Sequence, residues 1–237
     1  MNKQMTSGPT CERQVPVPGT RRLYRWWYDH VQSLYYDLLM LWCFLPFGGE
    51  RRFRLGLLHS IEFRHDERIL EMCCGTGNST LALAALAGAG SKITAIDLSL
   101  GQLRRALKKR YATDVSLLVM DASATAFTAH AFDKVFIPHA LHEMSHRLRL
   151  EVLREAHRLL APGGEVIVLD LANPPSLLLR LFVGFWFFYW LPFNFETPMR
   201  RDMLRRGLEN ELREAGLVEI TKETSHGGVF QVVRGVG

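Results

Sequence analysis

The stretch Ile69-Leu70-Glu71-Met72-Cys73-Cys74-Gly75-Thr76-Gly77-Asn78-Ser79-Thr80 constrains everything around it. Its apolar opening predicts a buried strand, its small residues a tight turn, and the Ala/Leu-rich run from Leu81 to Leu86 a helix. A strand, a Gly-rich turn and a helix N-terminus together make a cradle for a cofactor. Glycine lets the backbone approach a ligand where a Cβ would clash. The unsatisfied N–H groups of the helix start favour negative charge or a hydrogen-bond acceptor. Many nucleotide-binding chains share such a turn, so its meaning depends on the residues downstream of it.

Downstream, strand and helix alternate. Lys92 to Ile96 predicts a second strand ending in Asp97, about twenty residues past the turn, where βαβ units place a carboxylate for ribose hydroxyls. Gln102 to Tyr111 reads as a basic helix, and Val115 to Met120 as a third strand that ends in Asp121-Ala122. Phe132 to Ile137 is a fourth strand capped by Pro138. Arg147 to Leu160 is an amphipathic helix stopped by Pro162-Gly163-Gly164, and Glu165 to Leu171 is a fifth strand. Met199 to Ala215 reads as one charged helix ending at Gly216. Leu217 to Glu223 and Val229 to Arg234 then form a hairpin through Ser225-His226-Gly227-Gly228. A dinucleotide enzyme fits the first half of this pattern. The acid placed before the glycines, and the further acid after the third strand, argue against it.

With these motifs in order, the chain resembles the class I S-adenosylmethionine-dependent methyltransferases. The match is Leu70 to Gly77, Ile96-Asp97-Leu98-Ser99, Met120-Asp121-Ala122, Phe132-Asp133-Lys134-Val135-Phe136 and Leu159-Leu160-Ala161-Pro162-Gly163-Gly164, strongest over residues 66–172. The resemblance implies a Rossmann-like, doubly wound α/β sheet of seven strands with an antiparallel last strand, and S-adenosylmethionine as cofactor. It assigns Glu71, Cys73, Gly75, Gly77 and Asn78 to the methionine end of the cofactor and Asp97 to the ribose. Leu98, Asp121 and Ala122 would flank the adenine, with Pro138 at the end of the fourth strand. Cys73 stands where the family most often has its first glycine. The ending Gly227-Gly228-Val229 … Arg234-Gly235 is similar to the ubiquinone/menaquinone-biosynthesis C-methyltransferases in particular.

At 237 residues, with 48% apolar and 22% charged residues, the chain suits one globular domain with a helical addition. The expected division is a disordered tail over 1–20, a helical cap over 21–65, and a methyltransferase domain over 66–237 with a helical lid insertion at 174–200. The formal net charge is +5, carried in clusters such as Arg51-Arg52 and Arg200-Arg201. These are either solvated helix faces or an attraction to an anionic surface. Cys11, Cys43, Cys73 and Cys74 show no framework spacing, which suits a reducing cytoplasm. The expected location is therefore cytoplasmic, at the inner face of the membrane. Two aromatic segments, 24–47 and 177–195, imply a lipophilic small-molecule acceptor or peripheral membrane contact. The second is too short to span a bilayer, which needs about twenty apolar residues. No nucleic acid partner is expected.

His142-Glu143-Met144-Ser145-His146 spells the His-Glu-x-x-His zinc signature, which requires both imidazoles on one helix face. Directly after a parallel strand this context is missing, and no metal is expected. In a methyltransferase the same loop meets the methyl donor and the acceptor. That makes His139, His142 and, from the N-terminal Tyr-Asp segment, Tyr36 the candidates at the acceptor. Asn173-Pro174-Pro175-Ser176 resembles the Asn-Pro-Pro-aromatic motif of DNA amino-methyltransferases, but it follows the fifth strand and lacks the aromatic, so it reads as a turn. The expected function is methyl transfer from S-adenosylmethionine to a lipophilic molecule, such as a quinol or polyprenyl-aromatic precursor. The alternatives are phospholipid head-group N-methylation and a non-catalytic cofactor-binding protein at a membrane.

Overall fold

A computed structural model describes residues 41–185 and 197–237. Tyr36, the proposed tail and most of both aromatic segments lie outside the described residues. Leu41 to Phe44 are helical and lead through a 3₁₀ turn (Leu45–Phe47) into α1 (Glu50–Leu58). The alternating part runs β1 (Arg68–Met72), α2 (Asn78–Leu86), β2 (Lys92–Asp97), α3 (Leu100–Ala106), β3 (Asp114–Val119) and β4 (Phe132–Pro138). It continues with a 3₁₀ turn (Leu141–Glu143), α4 (His146–Leu159), β5 (Leu160–Leu171), α5 (Leu177–Gly184), α6 (Thr197–Arg206), α7 (Leu208–Glu214), β6 (Val218–Ser225) and β7 (Phe230–Val236).

The seven strands form one sheet in the order β3-β2-β1-β4-β5-β7-β6. β1 to β5 pair in parallel, while β7 runs antiparallel to both β5 and β6. The order reverses between β1 and β4, and ligands of open α/β sheets bind beyond the strand ends at such a reversal. Strand alternation sends Leu70, Met72, Val135, Ile137, Val166, Val168 and Val233 to a core shared with α4, α6 and α7. Ile69, Phe136, Ile167, Leu169, Phe230 and Val232 go to the opposite core, with Phe44, Phe53 and the buried side of α2. Buried on both faces, β1, β4 and β5 read as continuous apolar runs, as parallel strands must.

Three elements depart from the pattern read in the sequence. The basic helix after β2 ends at Ala106 rather than Tyr111, because Lys108 and Lys109 tighten onto the carbonyls three residues back and the Tyr111 hydroxyl turns in to cap Ala106 O at 2.8 Å. β5 begins at Leu160, and Ala161 to Gly164 are absorbed as a bulge against β4, with Gly163 in the left-handed region at φ +73°. The single charged helix expected at 199–215 is two, α6 and α7, parted at Gly207 with φ +81°. The break lets Asp202 of α6 and Glu211 of α7 reach one guanidinium, that of Arg149.

Candidate active site

β1 delivers the chain into a turn built on positive φ angles: Cys73 at +60°, Gly75 at +56° and Gly77 at +80°. The left-handed region costs an L side chain roughly 1–2 kcal/mol, which explains why glycine suits the Cys73 position and why its departure is a local strain. The turn is pinned to β2. Cys74 N donates to Ile96 O at 3.0 Å, and Gly75 N donates to Asp97 Oδ2 at 2.8 Å. Asp97 Oδ1 accepts from Ser99 N at 2.8 Å, so this carboxylate holds both the turn and the start of α3. A Cβ on Gly75 would meet open space, as a backbone kept clear for a ligand requires. A Cβ on Gly77 would lie 2.5 Å from the Tyr111 hydroxyl and 3.0 Å from Ala106 Cβ. Gly77→Ala therefore combines left-handed strain with a clash, and a loss of about 2–4 kcal/mol is expected in a urea titration.

Glu71 sits one strand position earlier and is fully buried, yet neither carboxylate oxygen has a hydrogen-bond partner of good geometry. Burial pushes its pKa up to about 8. The Thr80 hydroxyl, Arg54 and Lys109 pull it down, and Asp97 pushes with the burial. Such an unpartnered buried carboxyl is costly alone and suits a ligand that brings a cationic hydrogen-bond donor. Glu71, Asp97, Asp121 and Glu143 all bear on the Cys73 thiol. Burial first, then these acids, hold its pKa well above the ordinary value, so it stays a neutral lining group rather than a nucleophile. Asp121 accepts from Ser123 N and Oγ at 2.9 and 2.8 Å, and Ala122 is buried in the core beneath it. Pro138 is buried at the end of β4, and Leu98 is half-buried after β2.

A network that the sequence did not announce braces the start of α2. Glu50 accepts two bonds from Asn78 Nδ2, at 3.0 and 2.9 Å, and two from Arg54, at 2.9 and 2.7 Å. Arg54, itself buried, also donates to Ser79 Oγ and lies 5.4 Å over the Phe44 ring. Lys109 donates to Asn78 Oδ1. The Glu50–Arg54 pair is visible in the sequence as an i,i+4 acid–base pair, but nothing in that spacing says it reaches α2. Asn78 thus acts as the link between α1 and the turn.

The ends of β4 and β5 bring the histidines in, on different faces. His139, at φ +49°, stacks 5.9 Å from Phe53 and lies edge-on 5.9 Å from Phe230. Burial, then the Arg54 charge, press its pKa down to about 3, so this ring is a neutral wall and a poor proton acceptor. His142 sits in the 3₁₀ turn beyond, and its Nδ1 lies 2.7 Å from Asp170 Oδ1. The His142 backbone N–H also donates to Asp170 Oδ2 at 3.2 Å, and Leu171 N donates to Oδ1 at 2.7 Å. Asp170 is fully buried. Burial, the largest influence, would raise its pKa, but His142, His139 and the Leu171 N–H together hold the carboxyl below its ordinary range. Asp170 is the acid that sequence reasoning missed; a strand-terminal Asp in an apolar run was its one visible signal. His146 does not join His142. Met144 and Ser145 are extended, the helix begins only after them, and His146 Nε2 faces Glu214 at 3.5 Å. The shared helix face that zinc ligation needs is not formed.

The chain is similar to known methyltransferases. A family of methyltransferase domains matches residues 69–164, from β1 through the bulge of β5. A methyltransferase of uncharacterised role from Synechocystis is 30% identical over 217 residues, spanning 90% of this chain and 95% of that protein. A demethylmenaquinone methyltransferase from a Geobacillus is 25% identical over 78% of this chain and 85% of its own length. Among solved structures, the phosphoethanolamine N-methyltransferase 2 of Haemonchus contortus shares the fold at TM-score 0.59 and 16% identity, across 90% of this chain and 59% of the larger one. Alignment over nearly the whole of the Synechocystis relative, on a sheet of this order, shows that the chain belongs to the class I S-adenosylmethionine-dependent methyltransferases and uses S-adenosylmethionine as its methyl donor.

Proposed function

We propose that the chain methylates a lipophilic acceptor that must lose a proton, a quinol or polyprenyl-aromatic precursor. The observation that carries this reading is the His142–Asp170 pair at the ends of β4 and β5. Asp170 takes the Nδ1 proton into its hydrogen bond, which leaves the imidazole lone pair on Nε2. From there His142 accepts the proton of an acceptor hydroxyl, and the buried Asp170 carboxylate stabilises the imidazolium that forms. When bound, the cofactor supplies a methyl group already activated for displacement, so the protein mainly positions and desolvates. Glu71 would receive its ammonium, Asp97 its ribose hydroxyls, and the Gly75–Asn78 backbone its methionine end. Leu98, Asp121, Ala122 and Pro138 would line its base and approach.

The outer surface supports a greasy acceptor. Leu41, Trp42 and Leu45 are exposed, as are Leu177, Leu178, Leu181, Phe182 and Phe185 of α5 and its end. The two segments pack on one core through Phe44, Phe47, Leu179 and Val183, and Arg51 and Arg52 are exposed on α1. Among the described residues no helix is long and apolar enough to cross a membrane. The surface fits uptake of acceptor from a lipid phase by peripheral contact.

The test is methyl transfer from labelled donor to demethylated quinols, beside phosphatidylethanolamine vesicles. Label in the quinol is expected; label confined to the phospholipid would overturn the reading. Asp170→Asn is expected to cut kcat about 10²–10⁴-fold while cofactor affinity holds. An unchanged kcat would remove the pair from the mechanism.

A further inference from the structure

The first turn of α2 is held by charged groups that lie outside the β1–α2 unit. Its N-cap is Gly77, which has no side chain with which to cap the helix. An asparagine near a helix start commonly turns its amide onto the backbone N–H groups there. The Asn78 amide is instead drawn between two opposite charges. Its Nδ2 donates to both oxygens of Glu50, at 3.0 and 2.9 Å, and its Oδ1 accepts from the Lys109 ammonium. Those charges settle which end of the amide is which. A flipped amide would set its oxygen against a carboxylate and its N–H groups against an ammonium.

Glu50 is the hub of this brace. The same carboxylate accepts from Arg54 at 2.9 and 2.7 Å, and Arg54 donates onward to Ser79 Oγ. Arg54 and Ser79 are both buried. Lys109 also reaches Thr76 Oγ1 at 3.5 Å. Thr76, Asn78 and Ser79, which flank Gly77, are thus gripped from α1 and from the segment after α3. Docking of α1 does not call for this. Phe53, Leu57 and Leu58 already share an apolar core with Ala82 and Leu83 of α2. A buried ion pair is in itself weak support for stability. This one is aimed at the turn whose backbone is kept clear at Gly75. Glu50 and Arg54 also precede the segment 69–164 that the methyltransferase family matches.

Resting on the methionine end placed at Gly75–Asn78 above, we infer that Glu50 is a positioning residue for the cofactor. It fixes the Asn78 amide directly and the Ser79 hydroxyl through Arg54. The start of α2 therefore keeps one arrangement before the ligand arrives, and binding requires no reordering of it. Without Glu50 the buried Arg54 loses its carboxylate and the Asn78 amide loses the partner that orients it.

The test is a double-mutant cycle on cofactor affinity. S-Adenosylmethionine is titrated calorimetrically into wild type, Glu50→Ala, Asn78→Ala and the double variant, with urea unfolding of each beside it. Glu50→Ala is expected to weaken binding about tenfold in the wild-type background and no more than about threefold in Asn78→Ala, where the brace is already cut. Glu50→Gln keeps an acceptor for Asn78 without the charge. It is expected to fall between wild type and Glu50→Ala, and it takes the place of Glu50→Ala in the cycle should that variant not fold. A merely structural Glu50 would lower the urea midpoint and leave the affinity of the folded protein alone. Unchanged affinity in the Glu50 variants, or the same loss in both backgrounds, overturns the positioning role and leaves the cofactor site standing. Unchanged affinity in Asn78→Ala overturns the placement of the methionine end together with it.

Discussion

Glu71→Gln is expected to make the cofactor-free protein more stable and the cofactor weaker-bound at once. The folded-state pKa of Glu71 lies near 8, above its ordinary 4.5. Between those values the unfolded chain has released the proton and the folded chain retains it. Stability therefore falls as pH rises from about 4.5 to 8, the reverse of an ordinary ion-paired carboxylate. The shift corresponds to roughly 5 kcal/mol across that window. Glutamine stays neutral, so the variant should lose this slope and gain several kcal/mol over wild type at pH 8, read by urea titration at three pH values. The same change deletes the carboxylate proposed for the cofactor's ammonium, and S-adenosylmethionine should bind about 10–100-fold more weakly by calorimetry. A variant that binds the cofactor normally would place Glu71 outside the site, and one that keeps the wild-type pH slope would show that another group titrates. The two effects together identify a residue kept at the expense of stability for a ligand.

The second large effect belongs to Arg149. Its side chain is fully buried on α4 and forks onto Glu211 at 2.7 and 2.6 Å, with a further bond to Asp202 at 2.9 Å and one to Met144 O at 2.6 Å. Glu211 is itself 1% exposed. Arg149→Leu leaves that carboxylate buried without its partner, and about 3–5 kcal/mol of stability should be lost. The double variant Arg149→Leu, Glu211→Leu should recover most of it, because removing both charges removes the uncompensated one. Equilibrium unfolding of the two variants separates these outcomes; equal losses would mean that the fork contributes through shape alone. Arg149 also anchors Met144, two residues beyond His142. The single variant should therefore lower kcat even at temperatures where it remains folded.

Much of this protein was legible in its sequence, for identifiable reasons. The turn at 73–77, the acids at 97 and 121 and the strands between them are local features. Each is set by side-chain period, by glycine at a left-handed φ, or by an acid at a strand end. Their order along the chain fixes a parallel sheet with its reversal at β1. Two boundaries went astray at particular residues: Tyr111 folds back five positions to close α3 at Ala106, and Gly207, at a positive φ, parts one charged helix into two that both reach Arg149. His139 and His142, three residues apart, had read alike. The fold sends one into an aromatic wall, where burial keeps it neutral, and hands the other to Asp170, twenty-eight positions away along the chain.

By itself, then, the sequence determined the fold class and the methyl donor, because both rest on short-range patterns that a single segment carries. Only the tertiary structure decided which histidine meets a buried carboxylate, what braces the start of α2, and that one buried arginine holds α6 and α7 together. Those depend on which strand ends meet, and pairing between segments sixty residues apart leaves no mark in the spacing of either one.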